Sequence, residues 1–320
     1  MNRDQEDEKP KVQWCEISSE NSGQRLDNFL ITKLKGVPKT RIYRIIRKGE
    51  VRVNKGRIDN KYRLKAGDIV RIPPVRVAAR DMEIDLQPTL KRYLEQDIIY
   101  EDDVLIVLNK PSGFAVHGGS GISSGVIEGL RVLRPDARFL ELAHRLDKDT
   151  SGCLLVAKKR STLRVLHDQF RGDGVKKTYL ALLVGQWDRK KQQINAPLLK
   201  NTGKGGERVV KVSQAGKHAE THFRRLQQYK NLTLVEASPI TGRTHQIRVH
   251  AAWMGHFIVA DERYGTESVN KELKKKGFKR LFLHAKQLQF NHPVTNELMS
   301  FNAPLSQDLE DLLNKETLLK

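Results

Sequence analysis

The stretch that most limits how this chain can fold is a polar nonapeptide near its middle, His144-Arg145-Leu146-Asp147-Lys148-Asp149-Thr150-Ser151-Gly152. Apolar segments flank it, Phe139-Leu140-Glu141-Leu142-Ala143 before and Cys153-Leu154-Leu155-Val156-Ala157 after. The second run is short, apolar and bounded by turn residues, the pattern of a buried strand. Polar residues between such segments predict a loop held by rigid elements, and functional side chains concentrate in loops of that kind. Four charged residues, a His, two hydroxyls and a Gly share this one. Taken singly, each is equally well explained by a solvated turn with local ion pairs.

Charge is spread unevenly along the chain. Of a formal net charge of +20, residues 22–80 supply 17 Lys/Arg against 4 Asp/Glu, a net of +13, whereas residues 1–21 hold 3 against 6. A compact basic module is the electrostatic footprint of a polyanion binder. A membrane surface is the competing partner, but there is no lipidation signal and no strongly apolar helix face. No apolar run approaches the ~18 residues of a membrane span, and the acidic segment 1–10 is not a signal peptide. Cys15 and Cys153 lie far apart in no CxxC pattern, which argues against a disulfide framework or a thiolate zinc site. A monomer in a reducing cytoplasm, without membrane attachment, is expected.

From Gln24 onward Leu26, Phe29, Leu30 and Leu34 recur at helical spacing, and Gly36-Val37-Pro38 ends that helix. A second helix is expected over 40–48, with Ile42, Ile45 and Ile46 facing in, Arg41, Arg44, Arg47 and Lys48 facing out, and Gly49 as C-cap. Val51-Arg52-Val53-Asn54 alternates like a strand, and Leu64-Lys65-Ala66-Gly67-Asp68-Ile69-Val70-Arg71-Ile72 reads as a turn into another. Further strands are expected over 104–108, 179–184 and 233–237, and helices over 126–133 and 161–170. The expected organisation is a tail at 1–21, strand-like over 12–17, then a basic domain at 22–83, a linker at 84–96 and a larger domain at 97–320. Strands outnumber helices and short turns join them, which implies an α+β fold with a largely antiparallel mixed sheet and flanking helices.

The basic module resembles the S4 RNA-binding domain. The cues are Arg25-Leu26-Asp27-Asn28-Phe29-Leu30, then Ile46-Arg47-Lys48-Gly49-Glu50-Val51-Arg52-Val53-Asn54, then Gly67-Asp68. The resemblance implies RNA contacts from Arg41, Arg44, Arg47 and Lys48. A solvated helix face is the usual origin of a charge run, but here few acidic partners stand at i, i+4.

The larger domain resembles the RluA-type pseudouridine synthases. The nonapeptide matches that family's H-R-L-D-x-x-T-S-G loop, Asn109-Lys110-Pro111-Ser112-Gly113 its N-K-P-x-G element, and Lys177-Thr178-Tyr179-Leu180-Ala181 its K-x-Y-x-A segment. Gly242-Arg243-Thr244-His245-Gln246-Ile247-Arg248-Val249-His250 matches G-R-T/S-H-Q-I/L-R-V-H. The resemblance implies a pseudouridine synthase fold, large-subunit ribosomal RNA as substrate, and Asp147, Tyr179 and Arg248 as catalytic residues. Arg145, His144 and Arg243 are then candidate substrate contacts. Breaking the N1–C1′ bond of uridine develops positive charge on the sugar, which a carboxylate can stabilise or attack. A guanidinium keeps that carboxylate ionised, and an aromatic face suits a base extruded from its stack. The isomerisation is redox-neutral, so neither a cofactor nor a metal is needed; His144, His245 and His250 lack matched ligands at metal-site spacing. His117-Gly118-Gly119-Ser120-Gly121 is similar to an esterase oxyanion element, but no G-x-S-x-G accompanies it. The alternative is a noncatalytic S4-type RNA-binding protein on a synthase scaffold.

Overall fold

A computed structural model describes residues 11–34, 36–75, 86–118, 125–202 and 208–318. The chain divides into two compact units, residues 1–83 and 84–320. Gly119-Ser120-Gly121 lies outside the described residues.

In the first unit, β1 (Gln13–Glu16) precedes α1 (Leu26–Lys33) and α2 (Lys39–Arg47), followed by β2 (Arg52–Val53), β3 (Gly56–Arg57) and β4 (Ile69–Ile72). The strands form an antiparallel sheet in the order β1-β4-β2-β3. Both helices cover one face of it, burying Leu26, Leu30, Ile42, Ile45 and Ile46 against Val53, Val70 and Ile72. Asp27 is buried beneath them and accepts from Arg25 Nε at 3.1 Å, Arg25 Nη2 at 2.5 Å, Tyr43 Oη at 3.2 Å and the Asn28 N–H at 2.8 Å. Burial opposes its charge, but the Arg25 bonds and the other donors outweigh it and hold the carboxyl below its ordinary range. The Arg-Leu-Asp-Asn-Phe-Leu string is thus an N-terminal helix turn pinned by its own ion pair. Residues 13–16, expected within a tail, belong to this sheet: β1 pairs with β4 from Gln13 opposite Ile72 to Glu16 opposite Ile69.

The second unit begins with α3 (Pro88–Gln96), which corrects the expected linker at 84–96. Pro88 presets the first helical φ, and Leu90 and Leu94, four apart, are buried against α4 (Val126–Leu133). Two apolar residues in a polar segment gave no visible period. Between these helices run β5 (Ile98–Glu101) and β6 (Leu105–Lys110). Next come β7 (Glu141–Leu142), β8 (Ser151–Ala157), α5 (Arg160–Arg171), β9 (Lys176–Val184) and β10 (Lys191–Asn195). The hairpin β11 (Leu198–Thr202) and β12 (Arg208–Val212) leads to β13 (Glu220–Gln228) and β14 (Leu232–Pro239). The chain finishes with α6 (Gln246–Trp253), α7 (Glu267–Lys275), β15 (Leu283–Asn291), β16 (Leu298–Asn302) and α8 (Gln307–Lys315). Ten strands make one sheet, ordered β10-β13-β14-β9-β15-β8-β6-β5, with β16 on β15 and β7 on β8. Its pairings are antiparallel except β8 with β15, so the expected α+β class and mixed, largely antiparallel sheet hold.

The parallel pair sits at the end of the polar nonapeptide. Ser151 and Gly152 align with His284 and Ala285, and Gly152 takes φ +106°. A Cβ there would stand 2.3 Å from the Ala285 carbonyl oxygen. Only glycine lets β8 enter so close to β15. Gly152→Ala is therefore expected to lose about 3 kcal/mol, from positive φ and overpacking together. Comparison of urea unfolding midpoints tests this; an unchanged midpoint contradicts it.

Candidate active site

The nonapeptide is a tight turn between β7 and β8. The Thr150 N–H donates to the Asp147 carbonyl at 3.2 Å. The remaining carbonyls of the turn are taken by the Asn-Lys-Pro-Ser-Gly segment: Ser112 Oγ donates to Asp149 O at 2.7 Å, and the Gly113 N–H donates to Lys148 O at 3.0 Å. Lys110 is buried beneath the turn, and its Nζ donates to Pro111 O at 2.7 Å, Phe114 O at 2.8 Å and Lys148 O at 3.0 Å. An ammonium has three donors and no acceptor, so three carbonyls satisfy it fully. On the other side Ser151 Oγ stands 2.9 Å from His284 Nδ1, and His284 Nε2 stands 3.1 Å from Ala303 O. A carbonyl only accepts, so Nε2 carries the proton and the Ser151 hydroxyl donates to Nδ1.

Asp147 emerges from this turn partly exposed and meets Arg248, the third residue of α6. Arg248 Nη1 donates to Asp147 Oδ2 at 3.3 Å. Its Nε and Nη2 donate to the two oxygens of Asp261, each at 2.8 Å. Asp261 is fully buried and also accepts the N–H groups of Arg263 and Tyr264, both at 3.0 Å. Burial works against the charge of Arg248, but the bonds and charges of Asp261, then of Asp147, outweigh it and raise its pKa. The Tyr264 ring lies 5.2 Å from the guanidinium carbon, and its hydroxyl stands 2.7 Å from His245 Nδ1. His245 Nε2 is 3.8 Å from Asp147 Oδ2.

The Gly-Arg-Thr-His-Gln-Ile-Arg-Val-His string folds as the entry to α6. His245 takes left-handed backbone, φ +54°, at the helix N-cap. Buried Gln246 donates to Glu220 O and Thr221 Oγ1, each at 2.9 Å, and accepts from Thr241 Oγ1 at 2.6 Å and the Arg243 N–H at 3.0 Å. His250 is locked between Thr221 Oγ1 at 2.9 Å and Ala196 O at 3.0 Å. Most of the string thus holds one arginine in place.

Tyr179 lies on β9, one strand from β8 across β15, and packs between two core clusters. Burial first, and the charge of Asp147 second, push its phenol pKa up. Arg145 is exposed and has no protein partner among the described residues. Arg243 is exposed, with Nε on His218 O at 2.9 Å. The His144 ring stacks on Phe170 with centroids 4.9 Å apart, and Nε2 accepts the Leu155 N–H at 3.1 Å. Burial, then the charge of Lys177, push it down to about 4, so in this structure it serves as a neutral framework residue. Arg41, Arg44, Arg47 and Lys48 are exposed on α2 of the first unit.

Sequence reasoning passed over Asp261 and gave Lys110 no role. Asp261 follows the apolar Ile258-Val259-Ala260, and Lys110 ends a run of apolar strand residues. A lone charge abutting a buried run was the available signal. A cavity of about 730 Å³ lies elsewhere, lined by residues that include Leu180, Tyr229, Lys286 and Leu313. Leu180 follows Tyr179 on one strand, so the two point to opposite faces, and the cavity is separate from the Asp147 cluster.

The chain matches the RNA pseudouridylate synthase family over residues 104–253 and the S4 domain over residues 24–70. It is 59% identical to the ribosomal large subunit pseudouridine synthase C of Yersinia pestis over 306 residues, 95% of each chain. It is 58% identical to the protein of that name from Escherichia coli K12 over 312 residues, 96% of this chain and 98% of the other. Among solved structures, human RNA pseudouridylate synthase domain containing 1 superposes with a TM-score of 0.58 at 26% identity, over 70% of this chain and 89% of its own. Human RNA pseudouridylate synthase domain containing 4 does so with the same score and identity, over 72% and 97%.

Lys110→Met removes a donor shared by three carbonyls, of which Lys148 O keeps the Gly113 N–H. Each unsatisfied acceptor costs about 1–3 kcal/mol, so a loss of at least ~2 kcal/mol is expected from Pro111 O and Phe114 O. Burial pushes Lys110 down to about 7 from 10.5, against the pull of Asp149 and Asp147. Above about 7 the folded chain releases a proton that the unfolded chain keeps to 10.5. Its contribution to stability therefore grows as pH rises through that window and is lost as pH falls towards 7. Denaturant titrations across pH 6.5–10 should show that increment in the native chain and its absence in Lys110→Met; parallel curves would contradict it.

Proposed function

The chain belongs to the RNA pseudouridylate synthase family, and we propose that it isomerises uridines of large-subunit ribosomal RNA to pseudouridine, with Asp147 acting at the sugar of an extruded uridine. The names of its relatives support the substrate. The observation that carries the chemistry is the unequal sharing of Arg248. Two of its N–H groups are fixed on fully buried Asp261 and a third reaches partly exposed Asp147. The inner acid positions the guanidinium, and the outer one is accessible and held by a single bond from it.

In this reading the target uridine leaves its stack and its ring lies against Tyr179. Asp147 stabilises the sugar cation, or bonds to C1′, as the N1–C1′ bond breaks. The free uracil turns, C5 joins C1′, and the C5 proton leaves while N1 gains one, so composition and charge are unchanged. Tyr179 remains a phenol at neutral pH, since burial and the Asp147 charge both disfavour phenolate. It supplies a flat face, and Asp147, once released from the sugar, is the carboxylate at hand for the C5 proton. Exposed, unpartnered Arg145 is the cation available to phosphate or to the vacated stack. One copy of the chain acts in the cytoplasm, a location that two unpaired cysteines fit. The noncatalytic alternative is disfavoured because Asp147, Tyr179 and Arg248 are all present.

Asp147→Asn keeps the shape but not the charge. The expected outcome is RNA affinity of native order with no detectable pseudouridine in a ribosomal RNA fragment. Arg248 keeps Asp261 as its partner, so thermal unfolding should stay cooperative. A folded Asn variant working at a near-native rate would remove Asp147 from the chemistry. For Tyr179→Phe most of the turnover should persist, because the ring is retained and the hydroxyl relays no proton, whereas Tyr179→Ala should lose at least ~100-fold, the scale of a misplaced reactant. A Phe variant as inactive as the Ala variant would make the hydroxyl a proton carrier after all.

A further inference from the structure

The exposed basic side of α2 is not the only cationic surface of the first unit. Across its sheet, Trp14 of β1 stands opposite Arg71 of β4, Arg71 opposite Arg52 of β2, and Arg52 opposite Arg57 of β3. Directly opposed residues share a face, so these four side chains form one row. It lies on the side away from the helices, since the alternate positions Cys15, Val70 and Val53 face the core. With strands about 4.8 Å apart, the row runs roughly 14 Å. Trp14 at its end is 58% exposed.

The arginines of this row are held without being neutralised. Arg71 Nη1 donates to Glu50 O at 2.7 Å. Arg52 donates to Gly49 O at 3.3 Å and Lys55 O at 3.4 Å, and Arg57 Nη2 donates to Arg47 O at 2.8 Å. Every acceptor is a backbone carbonyl; none of the three meets a carboxylate among the described residues. Each guanidinium is therefore oriented, keeps its full charge and has further N–H groups for a phosphate. Glu16, opposite Ile69, is the one acid on these strands. The Arg57 bond to the Arg47 carbonyl joins the row to the end of α2. A cavity of about 540 Å³ opens at that join, between Tyr43, Arg47, Arg57, Ile58 and Asn60.

We propose that a single-stranded segment of the substrate RNA passes from the basic side of α2 around the β3 edge onto this outer sheet face, laying phosphates on Arg57, Arg52 and Arg71 and stacking a base on Trp14. This rests on RNA being the substrate. Cations that track a backbone beside an exposed aromatic are the means by which single strands are held without sequence readout. A duplex keeps its bases paired and cannot use Trp14. An anionic membrane would also meet the cations, but the row offers one aromatic and no broad apolar face.

The test uses the full chain, with a labelled 12-nucleotide oligouridylate and a hairpin of equal phosphate number, by fluorescence anisotropy at several salt concentrations. Trp14→Ala should bind the single strand about tenfold more weakly, within the range of one base–aromatic stack. Trp14→Phe should stay close to native, and hairpin binding should be unchanged in both. The double variant Arg52→Gln, Arg71→Gln should lower the salt slope for the single strand by about 1.4, two contacts of ~0.7 each, while Trp14→Ala leaves that slope intact. Thermal unfolding of each variant checks the fold, and because Gln can still donate to the carbonyls, little change is expected. Equal single-strand affinity of Trp14→Ala and native chains overturns the proposal. So does loss of binding to phosphatidylglycerol vesicles without loss of RNA affinity, which would assign the face to a membrane. Pseudouridine formation by the native chain is followed in parallel. Its absence would defeat the underlying function, whereas its presence with indifferent Trp14 variants defeats only the track.

Discussion

The arrangement rests on one guanidinium shared between two carboxylates of different exposure. Bringing Arg248 and Asp261 out of water costs several kcal/mol per ion. That cost is offset only where geometry is close to ideal, and here two parallel 2.8 Å bonds and two backbone N–H groups on Asp261 provide it. The paired inner acid fixes the plane of the guanidinium. Of the three N–H groups left, one is aimed at Asp147, whose side chain is 30% exposed where that of Asp261 is not exposed at all. An arginine bound only by Asp147 would move with it. Anchored from behind, it is a fixed positive charge beside a partly exposed carboxylate.

A fixed arginine is useful only if Asp147 is equally fixed, and the turn carrying it is held from beneath and from the side. Lys110, Ser112 and the Gly113 N–H take the carbonyls of Lys148 and Asp149, while Ser151 is tied through His284 to Ala303. Gly152 then lets β8 run against β15. Since β15 also pairs with β9, which bears Tyr179, one strand sets the distance between the turn and the aromatic ring. Residues far apart in sequence meet because a parallel pair interrupts an otherwise antiparallel sheet.

This explains what could and could not be read from the chain alone. Asp147, Tyr179 and Arg248 stood out because each lies in a dense local string, and so did the apolar periods of α1 and α5. Asp261 and Lys110 did not, because their importance lies in partners reached across space: an arginine 13 positions away for one, a carbonyl 38 positions away for the other. His144 shows the converse: it belongs to the densest string of all, yet its ring stacks on Phe170 in the framework. Helix α3 was missed because it contributes only two fully buried leucines to a core, and a period needs more than that to be visible.

The two units also use arginine differently, and the difference follows from what accepts its hydrogen bonds. In the catalytic unit Arg131, Arg134, Arg224 and Arg280 bond to Glu141, Glu101, Glu236 and Asp308. Such pairs cancel charge, and at the surface contribute little stability. In the basic unit only Arg25 meets a carboxylate among the described arginines, and that pair serves the buried Asp27. Arg52, Arg57, Arg63 and Arg71 are held on carbonyls. A carbonyl orients a guanidinium without neutralising it. A net of +13 over residues 22–80 is therefore partly an ordered set of cations as well as an excess of them, a distribution that favours a polyanion partner.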